Sequence, residues 1–578
     1  MSDTLCLLIA VPGNVRYRPP IVCRIVVPPF FLTGTDNVQS AQRLGAHGQD
    51  GKCPNTSTGN HPALLHRRNN SADAGTAAKR DGNGAGSYRG YLIKNGLHCS
   101  MKEYDLIAVG TGSAMNIVTA YLERNRSARV AVIDKDEPGG ICLTRGCIPS
   151  KLLLYPAEVA TTIREAGAFG ISASIQQIDF ERVMKRMRSI IDEEIEGIRK
   201  GLSSSAEVDY YHDVAEFTGP YTLKVGGKKI TARTILLCTG SEITIPAIKG
   251  LSESGYLTSD SVLFLKKLPP SVCIIGGGYI AAEYGHFFSS MGSDVTIIGR
   301  NRRLLPREEP EISELARREL SKRMKILTDC EALSVSVEDG LKKIVFRNRS
   351  DGTLGSTNVH EIMVASGRGP TSHMLHAERA GIGLTPDGWI RVDDYLETSQ
   401  HNVWAFGDAN GKHLFKHVAN YESIVVYYNA ILGQKVAVDY HAVPHAVFTV
   451  PEIAGVGMTE GEAIAQYGKE NIVIGFHRYQ DTAKGEAMNV SDCFVKVIML
   501  AGDATLLGAH IIGPQASVLI QEIINIMYTP DRSGNIITRA MHIHPALSEV
   551  VQRAVQSVHS LDDYHRILRE NFTPPMLD

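Results

Sequence analysis

The sequence has no long hydrophobic run, no strong excess of charge and no dense set of cysteines. No apolar stretch approaches the roughly 18 residues needed to cross a bilayer, so we predict no membrane span. The formal net charge of −2 over 578 residues gives no overall attraction to nucleic acid or to an anionic membrane, and we predict neither as a partner. Ten scattered cysteines are too few for the disulfide framework of a secreted protein, which favours a reducing, cytoplasmic location.

Residues 1–100 differ in composition from the rest of the chain. They contain 11 Lys and Arg residues against 5 Asp and no Glu, and they show no helical or alternating hydrophobic period. We therefore predict a disordered leader over 1–100. Domain-like sequence begins at Met101, and we hypothesise that natural translation starts there.

A strand–glycine–helix unit typical of dinucleotide binding follows the leader. A buried strand leads to Gly110-Thr-Gly112, then to a helical run and a second strand that ends at Asp134. Gly110 permits a tight turn, and Gly112 lets the backbone approach a pyrophosphate at the helix N-terminus. Asp134 is expected to accept hydrogen bonds from a ribose. Met115 stands where the pattern has its third glycine, and this departure weakens the expected packing of the helix on the strand.

A second unit of the same kind begins with Gly276-Gly-Gly278. It continues as Tyr279-Ile-Ala281, with alanine as a tolerated third residue, and a helix is predicted through Met291. Two units of this kind imply two dinucleotides.

The second unit ends in Gly299 followed by three arginines, Arg300, Arg302 and Arg303. An acid at position 299 would favour the free hydroxyl of NAD, but the acid is missing and cations follow. A 2′-phosphate would gain charge-assisted hydrogen bonds worth about 1.5–3 kcal/mol each, so NADPH is favoured. A solvated basic loop is the alternative interpretation.

A pair of cysteines, Cys142 and Cys147, follows the first unit in a Gly-Gly-x-Cys-x4-Cys-Ile-Pro-Ser-Lys segment that ends at Lys151. The thiolate is the reactive form of cysteine, and a helix N-terminus with nearby cations lowers its pKa. The spacing therefore predicts a redox pair. Two buried cysteines that act only as small hydrophobic residues are the alternative.

Together these segments resemble the class I pyridine nucleotide–disulfide oxidoreductases, a family that includes dihydrolipoamide dehydrogenase, glutathione reductase, mycothione reductase and mercuric reductase. Three further segments add to the resemblance: Val403-Trp-Ala-Phe-Gly407-Asp408, the segment from Phe448 to Glu460, and His542-Ile-His544-Pro-Ala-Leu-Ser-Glu549.

The resemblance implies an α/β fold with two Rossmann-like domains and a C-terminal α+β dimerisation domain. We expect an FAD domain over 101–240 and 361–441, an inserted NAD(P) domain over 241–360, a dimerisation domain over 442–568 and a tail over 569–578. Thr239-Gly240 and Gly367-Arg368 fall where the chain would cross between the two nucleotide folds. We predict no metal site.

The resemblance also implies roles for single residues. Cys147 would face the flavin, while Cys142 would attack the substrate disulfide. Lys151 would pair with Glu283 beside the flavin ring, and Tyr279 would cover the flavin until a nicotinamide displaces it. The residues expected to contact FAD also include Thr239, Gly240, Gly407 and Asp408.

His544 and Glu549 offer an imidazole and a carboxylate that can orient it. Exchange between thiols and disulfides needs a proton donor for the leaving thiolate, and an oriented imidazole suits that task. The family places this histidine in the active site of the partner subunit, so we expect a homodimer.

The substrate is less sharply indicated. The absence of a thiol pair near the C-terminus argues against mercuric reductase and the larger thioredoxin reductases. A dihydrolipoamide dehydrogenase-like enzyme acting on a small dithiol is the main prediction. An NADPH-dependent reductase of a mycothione- or glutathione-type disulfide is the alternative, and a flavin- or nucleotide-binding protein without thiol turnover is a third hypothesis.

Overall fold

The computed structural model describes residues 101–572. The predicted leader over 1–100 and most of the predicted tail over 569–578 lie outside the described residues. The hypothesis that translation starts at Met101 stays a prediction. Within residues 101–572, no helix has both the length and the apolar character that crossing a bilayer requires.

The first sheet is built around the strand that precedes Gly110. Strand β1 (Lys102–Val109) pairs in parallel with β2 (Val130–Asp134) on one side and with β6 (Lys228–Leu237) on the other. The sheet is completed by β3 (Val208–His212), β4 (Ala215–Gly219), β5 (Thr222–Val225) and β16 (Val403–Ala405). The central strands consist largely of buried Val, Ile, Leu and Ala, as expected when both faces of a parallel sheet are covered.

Five helices accompany this sheet: α1 (Ala114–Arg124), α2 (Gly140–Thr144), α3 (Cys147–Glu165), α4 (Phe180–Ser204) and α9 (Lys416–Val426). Helix α4 shows why such segments are helical. Asp179 caps its N-terminus by accepting a hydrogen bond from the backbone N–H of Arg182 at 2.9 Å. Its buried residues recur at helical spacing and form one apolar face, namely Met184, Met187, Ile191 and Ile195.

The second nucleotide unit forms its own four-stranded parallel sheet. It contains β8 (Ser271–Ile275), β9 (Asp294–Ile298), β10 (Lys325–Leu327) and β14 (Glu361–Val364). Beside it lies an antiparallel sheet of β11 (Cys330–Glu338), β12 (Leu341–Asn348) and β13 (Leu354–Val359). The helices of this segment are α5 (Leu251–Ser254), α6 (Tyr279–Met291) and α7 (Pro310–Ser321).

The chain crosses between the two nucleotide folds through a short antiparallel pair. Strand β7 (Ser241–Ile243) leaves the first fold and pairs with β15 (Arg368–Pro370), which returns to it and leads into α8 (Ser372–Leu375). The returning chain then supplies β16, which pairs in parallel with β6. The first fold is therefore assembled from two separate segments of sequence.

The last sheet is antiparallel throughout. Its strands are β17 (Pro444–Val447), β18 (Ile453–Gly457), β19 (Ile472–Arg478), β20 (Phe494–Leu500), β21 (Leu506–Ile512) and β22 (Val558–Ser560). The helices here are α10 (Glu460–Tyr467), α11 (Ala483–Ala487), α12 (Ala516–Met527), α13 (Asn535–Arg539), α14 (Ser548–Gln556) and α15 (Leu561–Glu570).

The predicted fold class is confirmed, with two parallel nucleotide folds and a C-terminal α+β region. The residue bounds of the three domains stay a prediction.

Candidate active site

A cleft of about 2040 Å³ runs past both glycine turns, the cysteine pair and the chain crossing. Most small-molecule sites measure about 300–1,000 Å³, so this cleft has room for more than one nucleotide-sized ligand. Fifteen of the predicted site residues line it: Gly110, Gly112, Asp134, Cys142, Cys147, Lys151, Thr239, Gly240, Gly276, Gly278, Tyr279, Glu283, Arg300, Gly407 and Asp408.

The first glycine of each nucleotide unit occupies a turn that no other residue fits. Gly110 has a φ of +108°, and a Cβ there would lie 2.1 Å from the carbonyl oxygen of Cys238. Gly276 has a φ of +140°, and a Cβ there would lie 2.2 Å from the carbonyl oxygen of Ala365. Both turns lead into helix N-termini, which is the cradle that the pyrophosphate of FAD or NAD(P)H requires.

Asp134 lies at the end of β2 but is already engaged by its own chain. One carboxylate oxygen accepts hydrogen bonds from the backbone N–H of Thr111, at 2.8 Å, and from the Thr111 hydroxyl. The other accepts from the backbone N–H of Asp136 at 3.0 Å. Asp134 therefore fixes the glycine turn. Its carboxylate keeps acceptor capacity for a ribose, and that role stays a prediction.

The two cysteines lie on consecutive short segments, with Cys142 in α2 and Cys147 as the first residue of α3. Both are free thiols that contact each other through a hydrogen bond. That hydrogen bond, aided by the positive charge of Lys151 and opposed by burial, lowers the pKa of Cys147 to about 7. The same hydrogen bond, together with burial, raises the pKa of Cys142 well above its ordinary value. Cys142 therefore keeps its proton, and Cys147 is the thiol that ionises near neutral pH.

Lys151 and Glu283 form an ion pair across two helices. The Nζ atom of Lys151 donates to both carboxylate oxygens of Glu283 at 2.9 Å. The backbone N–H of Phe448 also donates to Glu283, at 3.1 Å, and Lys151 Nζ lies 4.5 Å from the centre of the Phe448 ring. Three separate stretches of chain therefore hold this cation beside Cys147.

Asp408 lies at the chain crossing, where its carboxylate accepts a hydrogen bond from the Ser241 hydroxyl at 2.5 Å. Arg368 donates to the Ser241 hydroxyl at 2.6 Å and lies 4.0 Å from Asp408. Burial raises the pKa of Asp408. Nearby, the Thr371 hydroxyl donates to the Thr239 hydroxyl at 2.9 Å, so the outgoing and returning segments are joined at the cleft.

Lys416 is a site residue that the sequence analysis missed. It is the first residue of α9, and its Nζ atom donates to the Ser113 hydroxyl at 2.9 Å, at the start of α1. A cation at a helix N-terminus is unfavourable because it opposes the helix dipole. A lysine at the start of a predicted helix is therefore the sequence feature that could have identified Lys416. The pKa of Cys142 is raised by its hydrogen bond with Cys147 and by burial, and that of Asp408 is raised by burial. The charge of Lys416 partly offsets both increases. An anionic group of a bound cofactor would relieve the excess positive charge.

His544 and Glu549 are paired with each other but do not line the cleft. His544 Nδ1 donates to the Glu549 carboxylate at 3.0 Å, and this hydrogen bond lowers the pKa of Glu549. The imidazole is 66% exposed while the carboxylate is 8% exposed, so a buried acid orients a histidine that faces outward. Within one chain, folding does not place His544 and Glu549 in the cleft that Cys142 and Cys147 line.

Three predicted nucleotide contacts also lie outside the lining of the cleft. Ala281 is fully buried in α6, where it packs in the core. Arg302 and Arg303 are exposed on the loop after β9. Of the three arginines that follow Gly299, only Arg300 lines the cleft, and its carbonyl oxygen accepts a hydrogen bond from Arg349 at 2.8 Å.

Comparisons with known proteins agree with this arrangement. Residues 104–431 match the family model described as pyridine nucleotide-disulphide oxidoreductase, and residues 443–555 match the dimerisation domain of that family. The chain is 36% identical over 468 residues to a mycothione reductase of Mycobacterium tuberculosis, covering 79% of this chain and 99% of that relative. It is 33% identical over 455 residues to a dihydrolipoyl dehydrogenase of Chlamydia trachomatis, covering 77% of this chain and 95% of that relative.

Among solved structures, the chain resembles the HOCl-induced flavoprotein disulfide reductase RclA from Escherichia coli in its Cu(II) complex. The TM-score is 0.69 at 26% sequence identity, and the match covers 79% of this chain and 99% of that one.

Proposed function

Because the chain belongs to the class I pyridine nucleotide–disulfide oxidoreductases, as an NAD(P)H-dependent flavoprotein, we propose that it uses NADPH to reduce a small disulfide of the mycothione type. The observation that supports turnover most directly is the contrast between the two cysteines in the cleft, where the pKa of Cys147 is lowered to about 7 and that of Cys142 is raised. A protein that only bound nucleotides would not need this arrangement.

FAD, when bound, would supply two-electron transfer between a nicotinamide and the cysteine pair. The residues that we propose to hold it surround the first glycine turn and the chain crossing, namely Gly110, Gly112, Thr239, Gly240, Gly407 and Asp408. Lys151 and Lys416 would offer positive charge to it, since fixed charge near a flavin ring tunes the cofactor.

We propose that the reduced pair acts on substrate in two sulfur exchanges. The Cys142 thiol gives its proton to a base, and its sulfur attacks the substrate disulfide, so a Cys142–substrate bond forms while the substrate S–S bond breaks. The Cys147 thiolate then attacks Cys142, which closes the Cys142–Cys147 disulfide and releases the second substrate thiolate. Both released thiolates take up protons, one of them from the base.

The raised pKa of Cys142 explains why this sequence needs a base. We propose that the base is His544 of the partner subunit, oriented by the carboxylate of Glu549 in that subunit. The exposed imidazole of His544 lies outside the cleft of its own chain, and the chain carries the dimerisation domain of its family. A homodimer with two shared active sites follows from this proposal.

The preference for NADPH rests on Arg300, which lines the cleft. Strand β9 ends at Ile298, and the residue between it and Arg300 is Gly299 instead of an acid. The Arg300→Ala variant should raise the KM for NADPH about tenfold and leave the KM for NADH nearly unchanged, because one charge-assisted hydrogen bond to a 2′-phosphate is lost. Arg302→Ala is the matched control, since Arg302 lies outside the cleft lining. Equal effects of Arg300→Ala on both nucleotides would contradict the preference.

Dihydrolipoamide is the second candidate substrate, favoured by the relatives named dihydrolipoyl dehydrogenase. The deciding experiment compares NADPH and NADH, at steady state, against a mycothiol disulfide analogue, lipoamide and glutathione disulfide. We expect the highest kcat/KM with NADPH and the mycothiol disulfide analogue. A preference for NADH with lipoamide would support the dehydrogenase, and the absence of turnover with every disulfide would support a binding protein.

A further inference from the structure

Tyr279, His445 and Glu308 form a contact between the second nucleotide fold and the C-terminal sheet. Tyr279 is the first residue of α6 and His445 lies in β17, and their rings stack with centroids 5.6 Å apart and planes 8° from parallel. His445 Nε2 donates to Glu308 Oε1 at 2.8 Å. Phe415 stacks near the same imidazole, with its ring centre 6.3 Å away. The tyrosine is therefore held against a ring that is itself anchored.

Glu308 is the unusual member of this group because its side chain is 0% exposed. Burial opposes its charge, yet the hydrogen bond and the positive charge of His445, with smaller effects from His510 and Tyr279, hold the pKa of Glu308 below its usual range. Its second oxygen, Oε2, is buried without a hydrogen-bond partner in the described part of the chain. A buried carboxylate with one unused oxygen is costly, which indicates a purpose beyond packing.

The Tyr279 phenol is close enough to interact with this carboxylate. Burial first, and then the charge and hydrogen-bonding capacity of Glu308, raise the pKa of the phenol, while the nearby Arg307 has a weaker opposite effect. The ring face of Tyr279 is thus held by His445, while its hydroxyl lies beside the Glu308 carboxylate.

We propose that Glu308 and His445 are positioning residues that latch Tyr279 in a closed position and thereby set the affinity of the enzyme for its nicotinamide nucleotide. This inference rests on the proposed function and on the role that the family resemblance implies for Tyr279, which gives way to the nicotinamide. When a ligand binds only after a ring has moved away, its apparent Kd equals the Kd for the open site divided by the fraction of molecules whose site is open. Weakening the latch therefore tightens nucleotide binding, while the reaction of thiols with the cysteine pair is unaffected.

The test uses the FAD-loaded dimer and three variants. Glu308→Gln keeps the shape of the side chain but removes its charge, Tyr279→Phe keeps the stacked ring but removes the hydroxyl, and the third variant combines both. The binding of NADP⁺ is measured by titration calorimetry, and the reduction of the bound cofactor by dithiothreitol is measured by absorbance. Glu314→Gln is the matched control, because Glu314 is a partly exposed carboxylate of the adjacent helix α7, paired with Arg317.

Each single variant should bind NADP⁺ about fivefold more tightly, as expected when one charged restraint is weakened. The double variant should bind no more tightly than the singles, since both changes release the same restraint. Reduction by dithiothreitol in Glu308→Gln should match that of the unaltered enzyme. If Glu308→Gln proves unstable, Tyr279→Phe alone carries the binding test.

Unchanged NADP⁺ affinity in Glu308→Gln and Tyr279→Phe would overturn the latch, as would additive effects in the double variant. Slower reduction by dithiothreitol in Glu308→Gln would indicate general damage to the site and would also overturn it. A failure of the proposed function would look different, because the unaltered protein itself would then be reduced neither by NADPH nor by dithiothreitol.

Discussion

At the scale of single residues, the contrast between the two thiols has a direct experimental consequence. The pKa of Cys147 is about 7, whereas that of Cys142 is raised. In the reduced protein, iodoacetamide should therefore alkylate one cysteine with a midpoint near pH 7, and peptide mapping should identify it as Cys147. Reactivity should rise with pH through this midpoint, because only the thiolate reacts.

The Cys142→Ala variant removes the thiol that hydrogen-bonds to Cys147 and so tests the cause of the lowered Cys147 pKa. In the Cys142→Ala variant, the largest cause of the lowered pKa is gone, so the alkylation midpoint of Cys147 should move upward by about one pH unit or more. The Cys330→Ala variant should leave it unchanged, since Cys330 is a buried thiol at the start of β11 and does not act on Cys147. A midpoint that stays near 7 without Cys142 would contradict our account of the pair.

At the scale of elements, the first glycine turn should be intolerant of any side chain. Gly110→Ala places a methyl group 2.1 Å from the Cys238 carbonyl, where rigid backbone faces it, and the positive φ adds strain. We expect the purified variant to contain little or no FAD, as measured by its absorbance at visible wavelengths. Gly167→Ala is the control, because a methyl group there meets no atom within 4 Å. Full FAD content in Gly110→Ala would refute this prediction.

A buried ion cluster joins helix α7 and its lead-in residue to the C-terminal sheet. Lys496 is 0% exposed, and its Nζ atom donates to three carboxylates: Glu309 at 3.1 Å, Glu311 at 2.6 Å and Glu460 at 2.8 Å. Lys496→Met should lower the free energy of unfolding by about 3–5 kcal/mol, because the buried Glu309 and Glu311 and the partly buried Glu460 lose their shared cation. Urea unfolding followed by circular dichroism measures the change, and the exposed Lys322→Met should change it by less than about 1 kcal/mol.

The pH dependence of this cluster has a definite sign. Burial opposes ionisation of Glu311, but the charge of Lys496 outweighs it and holds the pKa of Glu311 below its usual value. A carboxyl group with a lowered pKa stabilises the folded state above its ordinary pKa of about 4.3 and loses that contribution as the pH falls through its folded value. The difference between the unaltered protein and Lys496→Met should therefore be constant near neutral pH and shrink in acid.

The elements that the sequence predicted well are those specified by local patterns. Helix α6 ends at Met291, as predicted, because a glycine turn marks its start and Gly292 follows its last residue. The His445–Glu308 contact joins residues 137 positions apart, and Lys496 lies 185 positions from Glu311. Nothing local indicates such pairs, since folding alone brings them together. For the same reason, the sequence could not indicate that Arg300 lines the cleft while Arg302 and Arg303 do not.

At the scale of the whole molecule, a shared active site predicts complementation between inactive subunits. Cys147→Ser and His544→Gln homodimers should both be nearly inactive, because each lacks one component in both sites. When the two are unfolded, mixed in equal amounts and refolded together, half of the dimers are mixed and contain one intact site of two. Activity should recover to about one quarter of that of the unaltered enzyme. No recovery, despite mixed dimers detected by mass spectrometry, would contradict the sharing of sites.

The pairing of β16 with β6 also constrains how the protein is made. Strand β6 ends at Leu237, yet its neighbour begins only at Val403, so the ribosome must polymerise the intervening stretch before the first sheet gains its last strand. At typical synthesis rates of about 5–20 residues per second, that edge of β6 waits roughly ten to thirty seconds. During this interval, the unpaired edge of β6 is open to β-pairing with other nascent chains. We expect a chaperone to cover this edge until Val403–Ala405 emerge from the ribosome.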